Sequence, residues 1–156
     1  MLCKEAVRKG IGLKVRTRPP KDREGEASVL LVRDGAGYWS MLKAALEAQS
    51  LRVCEAGGLR QAEACLKAPE PPRMVFTAVL LADGDWERVL LLGKKAGVPV
   101  VVVSARLDAR FCLATLARGA FDFIVPPFDQ DDVRYVVSNA SWRVRPAATR
   151  FVSRAA

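Results

Sequence analysis

The chain has 156 residues, which is the size of one ordinary domain and too short for two well-buried ones. Apolar residues make up 51% and charged residues 27%, so a sizeable core can form and wholesale disorder is excluded. No apolar run approaches the roughly 18–20 residues that cross a bilayer, and the basic first 26 residues lack the apolar segment of a secretory signal. We therefore expect a single domain with no membrane association.

Residue types that build metal sites are scarce. The chain has no histidine, and its four cysteines include no C-x-x-C pair. A zinc centre and histidine-based catalysis are therefore disfavoured, and we expect neither a metal nor a cofactor. The scattered cysteines favour a reducing compartment, so we expect a cytoplasmic protein.

The net charge of +8 is concentrated at the two ends of the chain. Residues 1–26 carry 8 Lys/Arg and 4 Asp/Glu, and residues 142–156 carry four Arg and no acid. The middle, 27–141, has 13 basic and 13 acidic residues and is neutral. This distribution predicts a flexible basic arm over 1–26, a globular domain over 27–141 and a basic tail over 142–156.

Short apolar runs alternate with helical periodicity along the neutral middle. Strands are predicted over 28–32, 51–54, 74–81, 100–103 and 121–125. Helices are predicted over about 38–46, 59–66, 83–97, 105–118 and 129–140. Five continuous apolar strands that alternate with amphipathic helices predict a parallel sheet covered on both faces, which is a doubly wound α/β three-layer sandwich. In this architecture, ligands and chemistry lie at the carboxyl ends of the strands.

The residues at those strand ends resemble a known family. The segments VLLVRDG (29–35), VFTAVLLADGDW (75–86), VPVVVVSAR (98–106) and RGAFDFIVPPF (118–128) resemble the response-regulator receiver domain of two-component signalling. The resemblance covers about 27–141, nearly all of the neutral middle. It implies a flavodoxin-like sheet of five parallel strands in the order 2-1-3-4-5.

The resemblance also implies a phosphorylation site, which we compare with this chain position by position. In the family, an aspartate at the end of the third strand is autophosphorylated, with help from a metal held by acids, a hydroxyl and a lysine. Here the aspartate position is Ala78, the acidic pair reads Arg33-Asp34, and the lysine position is Pro126. Of these parts, Asp34 and the hydroxyl of Ser104 remain. The resemblance therefore implies a degenerate pseudo-receiver that is not an enzyme. We expect a charge contact between Arg33 and Asp34 to fill the position of the family's phosphorylation site.

Two further acids follow the third strand. Asp83 and Asp85 lie five and seven residues beyond Ala78. Acids at these positions are typical of a helix N-terminus, so we interpret them as capping residues and not as replacement phosphoacceptors.

The family further implies a switch residue and a contact surface. Phe123 matches its switch aromatic, although an aromatic on a central strand is equally well a core residue. The contact face implied is the fourth helix, fifth strand and fifth helix, with Leu107, Arg110, Phe111, Phe123 and Arg134. We expect this face to bind a sensor kinase, an output or transcription component, or a second copy of the chain, in signal transduction or transcriptional regulation.

Two alternatives come from other classes of protein. Gly35, Gly37 and Ser40 after the first strand, with Glu55 further on, partly match the G-x-G-x-x-G dinucleotide-binding pattern, whose third glycine is missing. The basic ends could instead make weak, salt-sensitive contacts with nucleic acid. The cations concerned are Lys4, Arg8, Lys9, Lys14, Arg16, Arg18, Arg143, Arg145, Arg150 and Arg154.

Overall fold

The computed structural model describes residues 27–140, and the structural statements below concern that range. The strands of the main sheet are β1 (Ser28–Val32), β2 (Arg52–Ala56), β3 (Met74–Ala78), β6 (Val100–Val103) and β7 (Asp122–Ile124). A small hairpin is made by β4 (Leu80–Leu81) and β5 (Gly84–Asp85). The helices are α1 (Tyr38–Glu47), α2 (Leu59–Leu66), α3 (Trp86–Ala96), α4 (Ala109–Ala117) and α5, which covers 130–140.

The main sheet has the order β2-β1-β3-β6-β7, and every neighbouring pair of strands is parallel. Side chains alternate between its two faces. Leu30, Val75 and Val102 pack with α2, α3 and α4, whereas Val29 and Phe76 pack with α1 and α5. The predicted doubly wound sandwich, with its strand order, is therefore confirmed.

The apolar run that begins at Met74 is not one long strand, as the sequence suggested. β3 ends at Ala78, which is paired with Val103, the last residue of β6. Beyond that point the chain folds back on itself, with Leu80 opposite Asp85 in the hairpin. Leu80 is 71% exposed, so its hydrophobicity does not mark a core position.

The fourth helix begins later than the sequence suggested. α4 starts at Ala109, and the Asp108 carboxylate caps it by accepting the backbone N–H groups of Arg110 and Phe111 at 2.9 and 3.2 Å. Residues 104–106 form a turn instead, because the Ser104 side chain bonds to the backbone two residues ahead.

The predictions for the basic ends, 1–26 and 142–156, lie outside the described residues and stay predictions. Within 27–140, every helix is too short or too polar to pass through a bilayer.

Candidate functional site

A cavity of about 470 Å³ opens at the carboxyl edge of the sheet. Asp34 follows β1 and Ser104 follows β6, and both residues line the cavity. Ala78, Arg33 and Pro126 are not part of its lining. The structure therefore brings two of the five predicted pocket residues to one cavity and leaves the other three outside its lining.

Ala78 offers no reactive group at the end of the central strand. It is the last residue of β3 and is fully buried. A methyl group cannot accept a phosphoryl group, because that reaction needs a nucleophilic oxygen.

Asp34 anchors the start of the first helix. Its Oδ1 accepts hydrogen bonds from the indole Nε1 of Trp39 at 2.7 Å and from the backbone N–H of Ala36 at 3.0 Å. Trp39 is only 1% exposed, so this bond satisfies the polar edge of a core side chain.

The expected Arg33–Asp34 contact is replaced by a different ion pair. The Nε of Arg33 lies 3.2 Å from Glu55 at the end of β2, and the ammonium of Lys43 lies 3.3 Å from the other oxygen of that carboxylate. The reason is geometric: successive residues at the end of an extended strand point to opposite sides, which separates the side chain of Arg33 from that of Asp34.

The hydroxyl of Ser104 is engaged by its own loop. Its Oγ donates to the carbonyl oxygen of Arg106 and accepts from the backbone N–H of the same residue, both at 3.1 Å. At the lysine position, Pro126 carries no ammonium and precedes a cis peptide bond to Pro127.

The described residues do not fit a divalent metal. Mg²⁺ is usually held by one or two carboxylates plus phosphate or water. Here Asp34 has committed one oxygen to Trp39 and Ala36, and the preceding residue is a cation. Across 27–140, no group of three or more His, Cys, Asp or Glu side chains could hold a metal ion.

Asp83 and Asp85 both cap helices. Asp85 accepts the backbone N–H of Arg88 at 3.2 Å, as a helix cap was expected to do. Asp83 reaches instead to the start of α2, where it accepts the backbone N–H groups of Leu59 and Arg60 at 2.7 and 3.2 Å. These hydrogen bonds lower the pKa of the Asp83 carboxyl below its ordinary value. The sequence offered no signal for this contact, because the partners are more than twenty residues apart.

No protein-family model matches the chain. It is 35% identical over 104 residues to the KDP operon transcriptional regulatory protein KdpE of Escherichia coli K12, a match that covers 65% of this chain and 45% of that protein. It is 24% identical over 110 residues to the transcriptional regulatory protein KdpE of Staphylococcus aureus, which covers 70% and 47%. The chain thus spans about half the length of the curated relatives it matches.

A solved structure gives the same picture of the fold. The response regulator receiver domain protein (CheY-like) of Methanospirillum hungatei matches with a TM-score of 0.66 at 18% identity, over 79% of this chain and 99% of that one. Residues 27–140 have the fold of response-regulator receiver domains, and the sequence is similar to two transcriptional regulatory proteins. The fold that the strand-end segments implied is therefore confirmed, and these similarities support the resemblance to the family.

The domain buries the aromatic side chain at the position of the family's switch residue. Phe123 is fully buried in β7, so the expectation that it contributes to an exposed contact face is wrong. Its ring lies edge-on to Phe111 of α4 with centroids 5.6 Å apart, and Phe111 lies edge-on to Trp86 of α3 at 5.8 Å. The guanidinium of Arg118 covers the Trp86 ring at 5.9 Å. The sequence did not single out Trp86 or Arg118, because this cluster joins three separate elements.

The rest of the predicted contact face is at the surface. Leu107 is 46% exposed, Arg110 and Arg134 are exposed, and Phe111 is half-buried. The structure adds Leu113, which is 64% exposed on α4.

The glycines that follow β1 are not packed against other parts of the described domain. A Cβ on Gly35 or Gly37 would meet no protein atom within 4 Å. Glu55, the acid expected to bind a ribose, has both oxygens engaged by Arg33 and Lys43.

Proposed function

We propose that this receiver domain works without phosphorylation and acts by contacting a protein partner in signal transduction or transcriptional regulation. It has no catalytic activity of its own and acts in the cytoplasm. The observation that carries the proposal is the fully buried methyl group of Ala78 where the family's phosphoacceptor would stand. The names of the two relatives, both transcriptional regulatory proteins, support the regulatory role.

The surroundings of Ala78 support the same conclusion. Phosphoryl transfer depends chiefly on neutralising charge at the transferred group. Asp34 supports Trp39, the Ser104 hydroxyl is held by Arg106, and Pro126 carries no charge. Each helper that the family relies on is therefore replaced or committed to another bond.

Labelling with a small phosphodonor tests the proposal. Full-length protein is incubated with acetyl phosphate and Mg²⁺, and its intact mass is recorded. A receiver domain with the complete acid set, treated in parallel, shows that the donor is active. We expect no phosphoryl adduct on this protein. A stoichiometric, Mg²⁺-dependent adduct would refute phosphorylation independence.

The contact surface we propose is the α4–β7–α5 face, defined by Leu107, Arg110, Leu113 and Arg134. It joins two exposed leucines to two guanidinium groups, a composition suited to a partner with apolar and acidic residues. That partner is a sensor kinase, an output component or a second copy of this chain.

Charge insertion tests this surface. The double variant Leu107→Glu, Leu113→Glu is compared with Leu91→Glu, which places a charge on α3, where the leucine is 58% exposed. Self-association is followed by sedimentation, and kinase or output binding by titration. We expect the double variant alone to lose association. Equal losses in both variants would assign the contact to another face.

A further inference from the structure

We propose that the cavity at the carboxyl edge of the sheet binds a small, mainly apolar molecule that carries an ammonium group. The inference rests on the proposed function, because it assigns a ligand to the site that phosphorylation would otherwise occupy. At about 470 Å³, the cavity lies within the range of about 300–1,000 Å³ typical of small-molecule sites.

The lining of the cavity is mostly apolar. Val79, Leu80 and Val103 contribute aliphatic surface where a functional phosphorylation site needs charge. Two aromatic side chains, Tyr38 and Phe111, also line it. Aliphatic and aromatic walls hold an apolar body by excluding water, and aromatic rings attract a cation through their electron-rich faces.

Two carboxylates of the lining each keep one oxygen without a hydrogen-bond partner among residues 27–140. The Ser104 hydroxyl is used by Arg106, whereas Asp108 uses only its Oδ1, which accepts the backbone N–H groups of Arg110 and Phe111. Asp34 uses only Oδ1, and its Oδ2 has no hydrogen-bond partner among residues 27–140. This oxygen can accept a charge-assisted hydrogen bond from an ammonium group.

The electrostatics of the cavity favour a cation. Its lining holds two carboxylates, Asp34 and Asp108, against one guanidinium, Arg106. Burial and the nearby negative charge of Asp34 raise the pKa of Tyr38, so its phenol stays protonated and adds no charge. A positive group placed beside Asp34 brings the summed charge of the lining and ligand to zero.

A ligand in the cavity would affect the contact surface through Phe111. Phe111 lines the cavity and also packs edge-on against Phe123 at 5.6 Å and Trp86 at 5.8 Å. It lies on α4 between the exposed Leu107 and Leu113. A ligand that moves this ring would alter the packing of α4, and so could supply the signal that phosphorylation supplies elsewhere.

Three matched probes test the charge preference: naphthylmethylammonium, naphthylmethanol and naphthoate. Each is titrated into full-length, ¹⁵N-labelled protein while the backbone amides of Ala36, Leu80, Ala105 and Phe111 are followed by NMR. We expect saturable shifts with the ammonium probe, weaker shifts with the alcohol and the weakest with the carboxylate. Tighter binding of naphthoate, or no saturable shift with any probe, would overturn the proposal.

Two variants and a control assign the anchor. Asp34→Asn keeps an acceptor oxygen for Trp39 but removes the charge, so ammonium affinity should fall about fivefold. Ala105→Phe fills part of the cavity from an exposed position and should weaken all probes that bind. Asp129→Asn, which changes a capping acid outside the cavity, should bind as the natural protein does. Equal affinity of the Asp34→Asn and natural proteins would refute the anchor.

The outcomes separate this inference from the function on which it rests. If acetyl phosphate labels the natural protein, phosphorylation independence fails, whatever the probes do. If the protein is unlabelled and no probe binds, only the ligand inference fails. Probe binding by an unlabelled protein supports both.

Discussion

The Nε of Arg33 lies 3.2 Å from a carboxylate oxygen of Glu55, so the cation at the end of β1 is bound to the neighbouring strand and not to Asp34. Both side chains of this pair are partly exposed, so it contributes little to stability. Its importance is positional. With Arg33 turned toward β2, Asp34 lines the cavity, one of its oxygens supports Trp39, and the other has no hydrogen-bond partner among residues 27–140.

Removal of the Asp34 carboxylate should destabilise the start of α1. In Asp34→Ala, the Trp39 indole N–H loses its 2.7 Å partner, and the free energy of unfolding should fall by about 1–2 kcal/mol. Asp34→Asn retains an acceptor oxygen and should lose less. Urea denaturation measures both changes. A double-mutant cycle with Trp39→Phe isolates the bond, and a coupling energy near zero would show that it does not contribute.

Most of the fold could be predicted from local patterns. The all-valine run of β6 and the periodic faces of α2 and α5 each indicate one type of element, and their alternation favours a parallel sheet. The predictions failed where an apolar residue lies outside the core, as Leu80 does in the hairpin. They also failed where a cap sets a helix start, as Asp108 does for α4. Both cases depend on local hydrogen bonding, the Leu80–Asp85 pairing and the Asp108 cap, which hydrophobic periodicity does not register.

The candidate site, like the fold, could be predicted only in part. Family resemblance located Asp34 and Ser104 at one edge of the sheet, and both line the cavity. It could not give the partners of Arg33 and Asp83. The Glu55 partner of Arg33 and the capping of α2 by Asp83 join segments more than twenty residues apart, so they depend on how the layers pack.

A methyl group added at Gly93 should destabilise the contact between α3 and the sheet. Its Cβ would overlap Cγ2 of Val100 and lie 2.9 Å from the backbone carbonyl oxygen of Val98, which cannot rotate away. Overpacking of this kind costs about 1–3 kcal/mol, and the better helix propensity of alanine offsets up to about 1 kcal/mol of that. Thermal unfolding of Gly93→Ala should show the net loss.

Gly37→Ala is the matched control for that substitution. Gly37 already has helical dihedral angles, φ −71° and ψ −21°, and a Cβ there meets nothing within 4 Å. The free energy of unfolding of the Gly37→Ala protein should differ from that of the natural protein by less than about 0.5 kcal/mol. A Gly93→Ala protein as stable as this control would mean that α3 can shift away from β6 without loss.

Asp83 should make stability depend on pH in the acid range. The backbone N–H groups of Leu59 and Arg60 lower the pKa of Asp83 in the folded state. The contribution of Asp83 to stability is therefore complete above the pKa of the unfolded chain. It is lost as the pH falls through the lower pKa of the folded protein. The gap in Tm between the natural protein and Asp83→Ala should therefore be constant above about pH 5 and close toward pH 2. Glu70→Ala, a change at an exposed acid, is the control. A Tm difference between the natural protein and Asp83→Ala that persists at low pH would contradict the capping role of Asp83.

Restoring the nucleophile alone should not restore phosphorylation. Ala78→Asp supplies a carboxylate at the end of β3, but Pro126 offers no ammonium and Arg33 stands where a second metal-binding acid is needed. Each missing preorganised charge contact commonly costs about 10²–10³ in rate. Two such losses should keep labelling of the single variant below detection.

The triple variant Arg33→Asp, Ala78→Asp, Pro126→Lys should recover labelling by acetyl phosphate in the presence of Mg²⁺. It restores the acidic pair with Asp34, the acceptor and the lysine together. Adding Asp34→Asn to the triple variant should abolish labelling again, because the metal then loses a carboxylate. Thermal unfolding of each variant shows whether the buried position 78 tolerates a charge. Efficient labelling of a folded Ala78→Asp single variant would mean that Arg33 and Pro126 do not obstruct the site and that the missing aspartate is its sole defect.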